Sequence, residues 1–220
     1  MAKSMPNREN PHAGQPVVRA GPPFADARLV AILLHGRGAS AEDILGLADQ
    51  FSATDIAYVA PQAAGGTWYP YSFLAPLEEN QPWLDSALGV ISGLLEEIQR
   101  HGKSVDRAVL MGFSQGACLA LEYAARHARR HAAVVAFSGG LIGPPGTPRD
   151  YQGTFEGMPV FLGCSDVDPH IPLARVRESG AVFRRMGASV DERIYPRMPH
   201  TVIADEIAAV DALLAGVRST

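Results

Sequence analysis

Residues 109–120, VLMGFSQGACLA, change character in the middle, and that change restricts the fold more than any other stretch of the chain. An apolar run ends at Gly112-Phe113-Ser114-Gln115-Gly116, and a helical pattern begins. Glycine two residues before and two after Ser114 allows a strand and a helix to approach more closely than side chains would permit. The spacing therefore predicts a strand, a tight turn and a helix, with the Ser114 hydroxyl raised above the carboxyl end of a sheet. An ordinary glycine-rich strand-to-helix turn is the bland alternative, and the rest of the chain decides between them.

Apolar runs and amphipathic stretches alternate throughout. Strands are expected at 28–35, 56–60, 107–113, 133–137, 159–164 and 190–195, with an edge strand at 17–20. Helices are expected at 41–51, with Ser40 as N-cap, and at 81–100, 114–130, 173–186 and 201–217. Strands separated by helices imply βαβ units and an α/β architecture, a mostly parallel sheet covered on both faces. Residues 1–15, polar and proline-rich, read as a flexible arm, leaving 16–220 as one domain. In such sheets chemistry collects at the carboxyl ends of strands. His35-Gly36-Arg37-Gly38, Ser114, the loop 165–172 and His200 all fall there.

A serine hydroxyl needs a base within hydrogen-bond reach, and the base needs a partner that fixes its tautomer. In this architecture the chain order is nucleophile, acid, histidine. His200, which follows the last strand, is the expected base. The acid is expected from Ser165-Asp166-Val167-Asp168-Pro169-His170-Ile171-Pro172. Asp168 is preferred because Pro169 and Pro172 stiffen its loop, and a stiff loop suits an orienting group. Asp166 reads as a turn or loop brace, and His170 as a residue that lines the pocket or faces water. Charge developing on the attacked carbonyl oxygen needs preorganised donors. Gln115 N–H, directly after the nucleophile, supplies one. For the Gly36-Arg37-Gly38 loop, an amide donor at Arg37 and a plain glycine turn remain equally open.

LHGRGAS at 34–40, GFSQGA at 112–117, D-x-D-P-x-I-P at 166–172 and MPH at 198–200 together resemble the phospholipase/carboxylesterase family of α/β-hydrolases, which includes the acyl-protein thioesterases. The resemblance covers about residues 16–217. It implies the α/β-hydrolase fold, a Ser114–His200–Asp168 triad, and an oxyanion hole of the Arg37 and Gln115 amides. The expected activity is a serine carboxylesterase acting on small-molecule esters through an acyl-enzyme, and it requires no metal or cofactor. Thioesterase or lysophospholipase activity is the alternative. A noncatalytic hydrolase-fold binding protein is the rival from another class, and the intact serine, aspartate and histidine count against it.

The segment 138–158 is too short and too rich in proline and glycine for a multi-helix cap, so an open site is expected. Trp68, Tyr69, Tyr71 and Phe73 are candidates for an apolar substrate pocket, and aromatics there favour short acyl or aryl esters. The same loop folded back over the core is the competing reading. A net charge of −4 counts against a nucleic-acid partner, and no stretch has the length of a membrane span. Only Cys118 and Cys164 are present, which suits buried thiols in a reducing cytoplasm. Related folds often dimerise, and a homodimer is entertained on that ground alone.

Overall fold

A computed structural model describes residues 9–217. Seven strands form one sheet, β1 (Val17–Ala20), β2 (Leu29–Leu34), β3 (Ile56–Pro61), β4 (Ala108–Phe113), β5 (Ala133–Phe137), β6 (Pro159–Ser165) and β7 (Ser189–Tyr195), in the order β1-β3-β2-β4-β5-β6-β7. Only β1 runs antiparallel, pairing Val17 with Pro61 and Ala20 with Tyr58. The central strands are apolar throughout because helices cover both faces.

Alternation along each strand divides the core in two. Val30, Ile32 and Leu34 of β2 and Leu110 of β4 pack with α2 (Trp83–Arg100), α3 (Gln115–Arg126) and α4 (Leu173–Arg185). Leu29, Ala31 and Leu33, with Val109 and Met111, pack on the other face with α1 (Ala41–Leu45) and α5 (Ala204–Gly216). Helix α3 lies under the sheet centre, and all its residues from Gln115 to Ala125 are buried. That depth requires the small side chains of Gly116, Ala117, Cys118 and Ala120 against the strands.

Several expected boundaries move. The helix expected at 41–51 stops at Leu45, and only a short 3-10 turn follows at Ala48–Gln50. Gly46, a poor helix residue, ends it, while Ser40 and Asp43 cap its start reciprocally at 3.1 and 2.8 Å. The last helix begins at Ala204 rather than 201, where the Glu206 carboxylate accepts the Ile203 N–H at 3.0 Å. Of the expected arm, residues 1–8 lie outside the described residues. Residues 9–15 are tied down, because His12 is buried, accepts the Ala64 N–H on Nδ1 and donates from Nε2 to the Trp68 carbonyl. A histidine that can satisfy both ring nitrogens on backbone groups gives a polar segment a reason to dock. Residues 138–158 form neither helix nor strand. Among the described residues no helix is long and apolar enough to cross a membrane.

Candidate active site

Ser114 sits between β4 and α3 with φ 54° and ψ −117°, a conformation that a non-glycine residue adopts only when its surroundings enforce it. The enforcement is backbone packing. A Cβ on Gly112 would run into the Gly116 backbone, and one on Gly116 would run into the Leu34 carbonyl of β2. Both glycines are therefore required for strand and helix to close around the serine. The Ser114 N–H donates to the Phe137 carbonyl at 2.9 Å, which ties the turn to the neighbouring strand.

The three residues expected to act together are in hydrogen-bond contact. Ser114 Oγ lies 2.9 Å from His200 Nε2, and His200 Nδ1 lies 2.7 Å from Asp168 Oδ2. The carboxylate only accepts, so Nδ1 carries the proton and Nε2 accepts from the serine hydroxyl. Asp168 Oδ1 accepts the N–H groups of His170 and Ile171 at 2.8 and 3.0 Å. Burial opposes ionisation of Asp168, but the bonds from His200 and these two amides outweigh it and hold the carboxyl below its ordinary range. The side chain is completely shielded from solvent, whereas His200 keeps 17% exposure. The acid is thus fixed and charged, and the imidazole reaches the open site.

Asp166 does a different job. Its carboxylate accepts the Arg197 N–H at 2.7 Å, and Arg197 has φ 53°. That bond fixes the turn after β7 and so the approach of His200. His170 is exposed at the cavity and packs edge-on to His200 with ring centroids 4.8 Å apart.

The glycine loop after β2 lies against the serine turn. A Cβ on Gly36 would meet Phe113 Cδ1 at 3.2 Å and Ser114 Cβ at 3.5 Å. Arg37 and Gln115, whose amides were singled out from the sequence, also anchor one common loop through their side chains. The Arg37 guanidinium donates to Thr67 Oγ1 and to the carbonyls of Pro70 and Tyr71 at 3.0, 2.8 and 2.6 Å. Gln115 Oε1 accepts from the Trp68 N–H at 2.9 Å, and its Nε2 donates to the Tyr69 carbonyl at 2.8 Å. The Thr67 hydroxyl also donates to Gln115 Oε1 at 3.2 Å, so six bonds tie these two side chains to loop 67–71. Sequence reasoning missed this role; a glutamine inside the otherwise apolar start of a buried helix was its signal.

The aromatic loop divides between the two readings. Tyr69, Tyr71 and Phe73 line a cavity of about 500 Å³ that contains Ser114 and His200. Trp68 does not line it, which corrects its assignment to the pocket. It is fully buried, and its indole N–H donates to the His35 carbonyl at 2.9 Å, a bond that draws the ring into the core beneath the glycine loop. His35 is held neutral by burial, and its Nε2 accepts the Ala63 N–H at 3.0 Å. Cys118 lines the floor of the cavity, and burial pushes its thiol up to about 12, so it acts as neutral wall.

A profile of the phospholipase/carboxylesterase family matches residues 18–217. The chain belongs to that family. Among solved structures it resembles a phospholipase/carboxylesterase from Dyadobacter fermentans, with 41% identity and a TM-score of 0.88 over 92% of this chain and 97% of that one. The Bacillus cereus carboxylesterase, at 19% identity and a TM-score of 0.73 over 94% and 96% of the two chains, shares the fold. Acyl-protein thioesterase 1 of Debaryomyces hansenii is 26% identical over 51% of this chain and 49% of its own length. Lysophospholipase-like protein 1 of Mus musculus is 27% identical over 56% and 52%. The chain spans about half the length of the curated relatives it matches.

Proposed function

We propose that this family member is a serine carboxylesterase that cleaves short-acyl or aryl esters. The observation that carries the reading is the unbroken hydrogen-bonded line from Ser114 Oγ through His200 to Asp168, mounted on a turn that holds the hydroxyl at the cavity. As the hydroxyl attacks the ester carbonyl, His200 Nε2 takes its proton, and the charged Asp168 stabilises the resulting imidazolium. The oxyanion is received by the N–H groups of Arg37 and Gln115, two residues whose side chains are anchored to loop 67–71. Collapse of the intermediate breaks the bond to the alcohol oxygen, and His200 returns the proton to it. Water then attacks the acyl-enzyme by the same route, releasing the acid and restoring Ser114.

Short acyl or aryl groups are favoured by a cavity of only about 500 Å³ whose lining includes the aromatic side chains of Tyr69, Tyr71 and Phe73. The names of two relatives, a thioesterase and a lysophospholipase-like protein, supply the alternative of a lipid-bearing substrate. We further propose a cytoplasmic location, with which two free cysteines are compatible. A fluorophosphonate probe tests the nucleophile: wild type is expected to label and Ser114→Ala not, and equal labelling refutes the catalytic reading. A panel of p-nitrophenyl esters from acetyl to palmitoyl, beside an acyl thioester, tests the substrate. A maximum of kcat/KM at palmitoyl rejects the short-acyl assignment.

A further inference from the structure

A second cavity, of about 750 Å³, opens on the other side of His200 between α1 and α5. It shares Gly36, Ala39, Phe113 and His200 with the cavity around Ser114, so the two meet at His200. Phe113 and His200 pack together, with ring centroids 4.9 Å apart, and form the partition. We propose that this groove receives the alcohol half of the ester, and that the alcohol is apolar and carries no anionic group. The proposal rests on the ester-hydrolase reading and adds which half of the substrate goes where.

The assignment follows from where the proton must go. The departing oxygen takes its proton from His200 Nε2, so whatever hangs from that oxygen extends past the imidazole. The residues immediately after His200, Thr201 to Ala204, line the second cavity. The acyl half stays on Ser114, and the residues just after the serine, Gln115 and Cys118, line the first. Each half of the ester therefore has a cavity on the side its chemistry requires.

The lining sets the class of alcohol. Ile44 and Leu47 face Val202, Ile203 and Ile207 across the groove. Among the described residues, the charged side chains that line it are Asp43 and Asp211, and no lysine or arginine does so. Asp43 is held ionised first by its bonds with Ser40, and Asp211 accepts from Ser52 N–H and Oγ at 2.9 and 2.6 Å. His35 is held neutral by burial. The positive end of α5 already carries Asp205, which is bonded to Tyr195 and Arg193. A phosphate-bearing alcohol would meet like charge with no cation among the described lining residues to pair with, whereas an aliphatic or aryl alcohol would bury apolar surface.

The test holds the acyl group constant and varies the alcohol, comparing methyl butanoate, hexyl butanoate and 6-phosphohexyl butanoate. Wild type is expected to prefer hexyl over methyl, and hexyl over phosphohexyl, by about tenfold or more in kcat/KM. Ala208→Trp narrows the groove at an exposed position of α5 and is expected to lower the hexyl-to-methyl ratio about tenfold. Glu96→Trp, at an exposed position of α2 that lines neither cavity, is expected to leave that ratio unchanged. Gln50→Arg, which adds a cation to the groove, is expected to shrink the hexyl-to-phosphohexyl gap. A wild type indifferent to the alcohol, a preference for the phosphorylated ester, or an Ala208→Trp ratio equal to wild type overturns the groove assignment while Ser114-dependent hydrolysis still stands. Absence of hydrolysis above the Ser114→Ala background for every ester overturns both readings.

Discussion

Glu206 offers a quantitative test of how the fold supports its site. It lies in the first turn of α5, fully buried, and burial raises its carboxyl from 4.5 to about 7. One oxygen caps Ile203 N–H; the other, Oε1, has no partner among the described residues and occupies space that exists because residue 163 has no Cβ. The folded state thus favours the neutral acid. Its contribution to stability is complete below pH 4.5, where folded and unfolded chains both hold the proton. It falls as pH rises towards 7, because the unfolded chain ionises first. At about 1.4 kcal/mol per decade, the loss is about 3 kcal/mol by pH 8, a large part of the 5–15 kcal/mol typical of a domain. Glu206→Gln keeps an oxygen for Ile203 and cannot ionise. Urea unfolding of both proteins at pH 4.5, 6 and 8 should show the wild type losing about 3 kcal/mol relative to the variant. A difference that stays constant across that range would refute the reasoning, since Glu206 would then ionise alike in both states.

The other predictions concern the site. Gly116→Ala drives a methyl into the Leu34 carbonyl of β2, a backbone atom that cannot swing aside, and should cost about 3 kcal/mol in thermal unfolding; wild-type stability would disprove the close approach. Gln115→Ala strips loop 67–71 of its bonds to Trp68 N–H and the Tyr69 carbonyl, with an expected loss of about 3 kcal/mol and a parallel fall in kcat. Retained kcat would separate the loop from the proposed oxyanion donors. Asp168→Asn should lower kcat about 10⁴-fold and Asp166→Asn less than about tenfold, measured on one activated ester; the reverse order would exchange their roles.

What could be read from the sequence was whatever depends on local geometry. The strand ending at Phe113, the glycines flanking Ser114 and the chain order of serine, aspartate and histidine each carry a short-range reason, and the structure brings those three side chains into hydrogen-bond contact. The strand at Ala133–Phe137 and the edge strand at Val17–Ala20 begin and end where expected, because β-branched and apolar runs bounded by turns have few other places to go. The misread parts depended on distant partners. Nothing near Trp68 reveals that its indole will bond the His35 carbonyl, and nothing near His12 reveals the backbone groups waiting at Ala64 and Trp68. The groove beside His200 joins Ile44 to Ile207, residues far apart in the chain that no local pattern could bring together.

The position of His200 in the sheet has its own consequence. Ser114 follows the central strand β4, whereas His200 follows β7, the last strand in the order, whose residues range from half-buried to exposed. Strand β7 is hydrogen-bonded on one side only, to β6, and is backed mainly by α4. Sub-global opening of β7 and α5 would swing the imidazole away while the serine turn stayed intact. Activity that falls on mild warming before the core melts, and returns on cooling, would locate the limiting element at this edge; activity and global unfolding that coincide would locate it elsewhere.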